Sequence, residues 1–310
     1  MSLLSMNSSI RPRILLLADR RGWAFDTNAQ SLIHYLCDRF EFRIAYVREQ
    51  SDLGSFPFDM ILVYFWGETY HQGFIRDPDR VIKLVTSHRW AEEEEFGHLT
   101  PMQMAERYLS DAGTIASFSK RLQDILSPYR EIQFLPNGFE PSLFYDCGRR
   151  QGSLTIGWAG DATDPCKGLR DILLPAAGDD FELKIAGGNF NHEEMLEFYN
   201  SVDVLCIAST AEGEPLTLIE GMASGCFPVS VDVGIVPELI SHRQNGLIVN
   251  RSINAFRAAF QWCTFNVELV RAKGRENAVN LPKIRRWEKI IPLWENVLWQ
   301  ALNKANWAPE

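Results

Sequence analysis

The chain has 310 residues, with 31 basic and 40 acidic side chains and a net charge of −9 at neutral pH. Hydrophobic residues make up 46% and charged residues 23%, an ordinary globular composition at a length that suggests two domains and a core needing no staples. The acidic balance argues against a dedicated nucleic-acid binder, which needs a basic face, and no stretch approaches the roughly 20 apolar residues of a membrane span.

In chain order, the apolar run 14–18, flanked by Arg13 and Asp19, is too short for the apolar region of a signal peptide and reads as a buried strand. Similar runs follow at 42–47, 60–65, 82–86, 113–118 and 132–135, then at 154–159, 181–186, 202–208, 227–233 and 246–249. They are short and show little polar alternation, the pattern of strands buried on both faces of a parallel sheet. Amphipathic segments such as 29–36 and 215–223 lie between them. Alternating strand and helix implies α/β layering.

Eleven runs exceed one comfortable doubly wound sheet. The break is expected at 145–153, where Asp146, Gly148, Arg149, Arg150, Gln151 and Gly152 form a polar stretch without periodicity. Two Rossmann-like domains result, residues 1–145 and 146–289. The tail from Pro282 is helical and carries Trp287, Trp294, Trp299 and Trp307. Packing across the domain boundary and packing on its own domain are equally open at this point. The six cysteines form no C-x-x-C pair and no zinc-ligand spacing, so they are read as reduced thiols of a cytoplasmic protein. No metal site is expected.

The most informative segment is Glu212-Gly213-Glu214-Pro215-Leu216-Thr217-Leu218-Ile219-Glu220, continuing to Gly225. Pro215 suits the first helical position and Gly225 the position past the last turn. Glu212 then lies in a strand-to-helix loop and Glu220 inside the helix. Both sit near the C-terminal edge of a parallel sheet, where open α/β sheets bind ligands. A carboxylate accepts through two oxygens and suits neighbouring sugar hydroxyls. An isolated pair at this spacing is more often an exposed glutamate favoured by the helix dipole.

The pair is not isolated. Gly187-Gly188 ends a strand; Phe198-Tyr199-Asn200-Ser201-Val202-Asp203-Val204 follows; then come Gly225-x-Pro-Val, Gly234 with Pro237-Glu238, and Asn245-Gly246-Leu247. Upstream stands Leu135-Pro136-Asn137-Gly138-Phe139-Glu140 with Phe144. In this order the pieces resemble the family 4 retaining glycosyltransferases, which have the GT-B architecture of two Rossmann-like domains facing each other across a cleft. The resemblance is strong over residues 130–250 and weaker but orderly before them. It implies that the last helix crosses back, so that the tail 290–310 joins the N-terminal domain.

The resemblance implies a nucleotide-diphosphate sugar as donor, bound by the C-terminal domain, with Glu220 on the ribose and Glu212 on the transferred sugar. Gly213, Glu214, Pro215, Leu216 and Thr217 would complete the donor loop. Lys167, in the loop from Gly160 to Gly168, matches the family's diphosphate lysine, with Gly160 also expected at the donor, and a lysine beside helix N-terminal amides is a sensible phosphate cradle. Gly22, after the first strand, matches the family's glycine-containing loop, and His88 a histidine near the donor sugar. Catalytic roles are thus implied for Glu212, His88 and Lys167.

Two departures stand out. Trp158 and Ala159 occupy the place of a diphosphate-binding arginine, for which Arg170 or an N-terminal-domain arginine would have to substitute; Arg21 and Arg89 are candidates to face the leaving diphosphate. Gly213-Glu214-Pro215 replaces a G-F-G.

The implied activity is metal-independent, cofactor-free, retaining transfer of a sugar to a hydroxyl acceptor, either a saccharide, a lipid-linked sugar or a small molecule. The protein would be cytoplasmic, with peripheral contact at the inner membrane face left open. Alternatives are a nucleotide-sugar epimerase or phosphorylase of the same architecture, or a degenerate nucleotide-sugar binding module. A dinucleotide oxidoreductase would need G-x-G-x-x-G after an early strand, which residues 17–22 lack.

Overall fold

The computed structural model describes residues 10–188 and 190–309. Among the described residues eleven strands form two parallel sheets, and each strand falls on one of the eleven apolar runs. The first sheet holds β1 (Arg13–Ala18), β2 (Glu41–Tyr46), β3 (Met60–Val63), β4 (Val81–Val85), β5 (Thr114–Ser117) and β6 (Gln133–Phe134), in the order β2-β1-β3-β4-β5-β6. The second holds β7 (Ile156–Ala159), β8 (Leu183–Ala186), β9 (Val204–Ile207), β10 (Phe227–Ser230) and β11 (Leu247–Ile248), in the order β11-β10-β9-β7-β8. Every pairing between them is parallel.

The reason for the unbroken apolar runs is visible in β1. Ile14, Leu16 and Ala18 enter one cluster and Leu15 and Leu17 another. Side chains alternate across a strand, so both faces of the first sheet are covered and neither tolerates polar alternation. The second sheet has its own core around Trp158, Tyr199, Phe227 and Phe260. The chain is therefore two Rossmann-like domains facing one another across a cleft.

The last helix, Trp287–Lys304, crosses back to the first domain. Trp287, Ile290, Trp294, Val297 and Leu298 pack in the cluster that contains Ile14, Leu16 and Leu32, and Trp294 Nε1 donates to the Pro136 carbonyl at 3.0 Å. The tryptophan-rich tail thus packs across the boundary. Both passages between domains run side by side. The Phe139 N–H donates to the Arg285 carbonyl at 3.0 Å and the Trp287 N–H to the Phe139 carbonyl at 3.2 Å, forming a parallel bridge between Phe139 and Arg286. At Gly138 an added Cβ would stand 2.6 Å from the Trp287 ring, so the close approach of the two passages requires glycine.

In each sheet the strand order reverses direction once, between β1 and β3 and between β7 and β9. Such switch points open a crevice outside the carboxyl ends of the strands. Here the two crevices face each other. All six cysteines are free thiols, four of them buried. Among the described residues no helix is long and apolar enough to cross a membrane.

Candidate active site

The loop after β9 carries Glu212 to the cleft. Lys167, from the loop after β7, meets Glu212 Oε1 at 2.5 Å, and the Ser209 hydroxyl donates to the same oxygen at 2.8 Å. Glu212 is 8% exposed. Burial pulls the Lys167 ammonium down, but the adjacent Glu212 carboxylate outweighs it and holds the group above its ordinary value. Both contacts fall on Oε1, so Oε2 takes no bond from the described residues. An ammonium has three donors, and this pairing uses one of them.

The first domain closes over this pair. His88, after β4, places Nδ1 3.3 Å from the Glu212 carbonyl oxygen, a hydrogen bond if that nitrogen carries the proton. A Cβ on Gly213 would collide with the Thr86 carbonyl of the first domain, and one on Gly234 with the Gly213 carbonyl. The loop is therefore held between the two domains at a spacing only glycine permits. His88, Lys167 and Glu212, far apart in sequence, are brought together.

Pro215 is the N-cap of the Leu216–Ala223 helix, one position earlier than its spacing predicts, and Gly225 follows the C-cap at φ +87°. Glu220 lies in the third quarter of this helix and accepts a bond from the Tyr199 hydroxyl at 2.8 Å through Oε2. Burial pushes the Glu220 carboxyl up to about 7, against the opposing effect of the Tyr199 bond. Tyr199 lies within the recognised 198–204 run, yet its partnership with Glu220 was not foreseen.

Glu220 closes the inner end of a groove between the domains. A cavity of about 40 Å³ is lined by Glu220 and Leu216 on one side and by Thr27, Asn28 and Ser31 on the other. It adjoins an open groove of about 750 Å³ that includes Gly22, Trp23, Gly188, Phe190 and His192, within the size range of small-molecule sites. Another groove, of about 620 Å³, includes Thr155 and Asp203, which precede β7 and β9. That is the opposite edge of the second sheet, away from Lys167 and Glu212.

The remaining expected residues divide. Gly22, at φ +72° with open space around it, donates its N–H to Asp26 Oδ2 at 2.7 Å. Gly160, at φ +156°, has the Trp158 ring 3.1 Å from where a Cβ would stand, so the Trp158 side chain is turned into the core. Arg170 is exposed and Thr217 half-buried. Glu214 departs most from expectation. Its side chain is fully buried; Arg285 Nη1 donates to Oε1 at 3.0 Å and the Asn137 N–H to Oε2 at 2.5 Å. The carboxylate is committed to the two interdomain passages, which leaves only the Glu214 backbone for a donor.

Arg20, Asn28 and Arg89 line the same junction, Arg89 being one of the first-domain arginines expected at the diphosphate. Arg20, after β1, approaches Asp161 at 3.7 Å. Arg89 bonds Asp164 at 2.5 Å and Glu93 at 3.0 Å. Asn28 Nδ2 donates to Asn137 Oδ1 at 2.5 Å and Asn28 Oδ1 accepts from the Tyr64 hydroxyl at 2.6 Å, tying the helix that lines the groove to the first passage. The neighbouring sequence gave no signal for these long-range pairs.

The raised Glu220 carboxyl has a measurable consequence. The folded protein keeps this proton up to about pH 7, whereas an unfolded chain loses it near the ordinary glutamate value of 4.5. Between these values the folded state binds more protons, so this group's contribution to stability falls as pH rises, by at most about 3 kcal/mol in total. Glu220→Gln removes that loss while preserving an acceptor for Tyr199. The melting temperature of Glu220→Gln should rise relative to the native protein between pH 5 and 7.5. A difference that stays constant over that range would show that Glu220 ionises normally.

Comparison with known proteins places this geometry in context. Residues 183–271, which carry Glu212 and Glu220, match the family described as "Glycosyl transferases group 1". The chain is 26% identical over 261 residues to the GtfA subunit of a UDP-N-acetylglucosamine–peptide N-acetylglucosaminyltransferase from Streptococcus parasanguinis, covering 77% of this chain and 49% of that relative. The chain spans about half the length of the curated relatives it matches. Among solved structures, the sucrose-phosphate synthase of Thermosynechococcus elongatus superposes with a TM-score of 0.75 at 14% identity, covering 94% of this chain and 100% of that one. HepE of Anabaena, solved with UDP and glucose, gives 0.67 at 13% identity, covering 94% and 99%. At these identities the structural likeness concerns the fold. The sequence match covers residues 183–271, and the structural likeness adds the arrangement of two facing Rossmann-like domains.

Proposed function

We propose that the chain is a retaining, metal-independent glycosyltransferase that takes its sugar from a nucleotide-diphosphate donor. The observation that carries this reading is the Lys167–Glu212 pair, set where the carboxyl edges of both sheets meet and continuous with the matched segment that ends the groove in Glu220. The base and ribose would occupy the groove beside Gly188 and His192, with the ribose hydroxyls on Glu220. The sugar would lie against Glu212 Oε2 and His88. A UDP-linked donor is supported by the ligand of the HepE structure and by the name of the GtfA relative.

In the reaction, the bond from the sugar's anomeric carbon to the diphosphate oxygen breaks. A bond to the acceptor oxygen forms on the same face, and the acceptor's proton passes to the departing phosphate oxygen. No side chain need act as base. The protein's contribution is electrostatic: the ammonium of Lys167 faces charge that grows as the bond lengthens, and a preorganised donor of this kind is often the largest single contribution to rate. Contact of the domains over Gly213 would exclude water from the donor and so suppress its hydrolysis. The acceptor, a saccharide or small molecule, would approach from the first domain.

A thermal-shift panel of nucleoside diphosphates tests the reading, because a ligand bound only by the folded state raises the melting point by mass action. UDP or another nucleoside diphosphate should stabilise the protein, and its sugar conjugate should be consumed with the anomeric configuration preserved in the product. No shift with any nucleoside diphosphate, and no consumption of any sugar nucleotide, would defeat it.

A further inference from the structure

Three cations meet carboxylates on or beside the Gly160–Gly168 loop. Lys167 meets Glu212 at 2.5 Å, Arg89 meets Asp164 at 2.5 Å and Arg20 approaches Asp161 at 3.7 Å. The second and third pairs have a feature the first lacks: each arginine belongs to the first domain, and each aspartate to the Gly160–Gly168 loop of the second. Arg20 follows β1 and Arg89 follows β4, so the two straddle β3, roughly 10 Å apart by strand spacing. They converge on one loop from either side. That loop is the one carrying Lys167.

These pairs are not simple surface bridges. Arg20 and Arg89 are 28% and 27% exposed, and their aspartates 30% and 19%. The Arg20 guanidinium lies over the Trp23 ring, which fixes its plane, yet its Nε is a buried donor with no partner. An oriented fork with an unused buried donor is a group whose hydrogen bonding is incomplete, and such orphans call for a functional explanation. Each aspartate presents only one oxygen to its arginine. The other is used inside the loop, Asp161 Oδ1 by the Thr163 N–H at 2.9 Å and Asp164 Oδ1 by the Cys166 N–H at 2.9 Å. The loop would therefore keep its shape if the arginines let go.

The other arginines near the cleft are placed differently. Arg21 is 68% exposed and paired with Glu49, and Arg170 is exposed on the far side of Lys167 in sequence. No arginine comes from β7, whose Trp158 is buried. An arginine fork matches phosphate oxygens in pairs where a lysine offers a point charge.

We propose that Arg20 and Arg89 grip the diphosphate of the donor from across the cleft, and that Asp161 and Asp164 hold the two guanidinium groups in position until it arrives. The proposal rests on the donor reading above and adds which residues of the opposite domain complete its anion site. On donor binding, phosphate oxygens replace one carboxylate oxygen at each arginine, and the Arg20 Nε gains an acceptor. The domains then stay joined through the ligand in place of the aspartates.

The test compares UDP with uridine, which shares the base and ribose but lacks both phosphates, by calorimetry on the full chain. Arg20→Ala and Arg89→Lys should each weaken UDP by about tenfold or more and leave uridine unchanged, which also certifies the fold. Asp161→Asn, which keeps Oδ1 for the loop, should tighten UDP by about two- to fivefold, an effect of opposite sign that loss of structure would not produce. Native-like ratios of UDP to uridine affinity in both arginine variants would overturn the proposal, as would parallel losses of both ligands. A native protein that binds neither ligand would instead defeat the donor reading itself.

Discussion

Glu212→Ala lowers turnover at saturating donor by about a hundredfold or more, and Lys167→Ala does the same, the scale expected for removing a preorganised contact to a developing charge. The two should not add. Glu212 Oε1 receives both Lys167 and Ser209, so removing the carboxylate releases the ammonium from its position, and removing the ammonium leaves a buried carboxylate held by one hydroxyl. Groups that act as a unit show this non-additivity, and the double variant should be nearly as active as the worse single one. Initial rates of sugar-nucleotide consumption, with melting curves to certify folding, measure the effect. Near-native rates in both folded single variants would remove Lys167 and Glu212 from the site.

The second large effect falls on stability. Glu214→Ala leaves Arg285, itself 5% exposed, without its 3.0 Å partner, and breaking a buried pair by deleting one side costs about 3–5 kcal/mol. Burial pushes the Glu214 carboxyl up, while Arg285 and the Asn137 N–H pull it back. Arg285→Ala should cost a similar amount. Replacing both residues by methionine should recover part of the loss, since an apolar pair leaves no stranded charge. Urea denaturation of the four proteins decides this. A loss below about 1 kcal/mol in Glu214→Ala, the scale of an exposed bridge, would show that the pair carries no weight.

These two neighbours in one loop show where sequence reading succeeds and where it stops. The strands were legible because a strand covered on both faces must be apolar throughout, a constraint local to a few residues. Leu15 and Leu16 enter different clusters, yet they give the same signal. The places of Glu212 and Glu220 were legible because a strand end, Pro215 and Gly225 fix the loop and helix around them. Glu214 was not, because its partner Arg285 lies 71 positions away and nothing near either residue announces the other. A glutamate in a donor loop looks available for a ligand until its carboxylate is found spent elsewhere. Arg89 and His88, adjacent in sequence, both reach the second domain from a single turn of helix, at Asp164 and at the Glu212 carbonyl. The missing arginine of β7 was legible as a vacancy in a motif. Arg89 could be named as a candidate from the sequence, but Arg20 came into view only when two strands of another domain were set opposite the loop.

The parallel bridge between Phe139 and Arg286 restricts how the halves of this molecule can move. Two chain segments fastened to each other at one spot act as a pivot, which favours swivelling over sliding of one sheet past the other once the cleft contacts of Arg20, His88 and Arg89 release. Glu214 fastens the Glu212 loop directly to this pivot through Asn137 and Arg285. Any rotation that spreads the mouth of the groove must therefore tug on the residues flanking Glu212, and access for an incoming ligand and the alignment of the reacting groups become two readings of one angle.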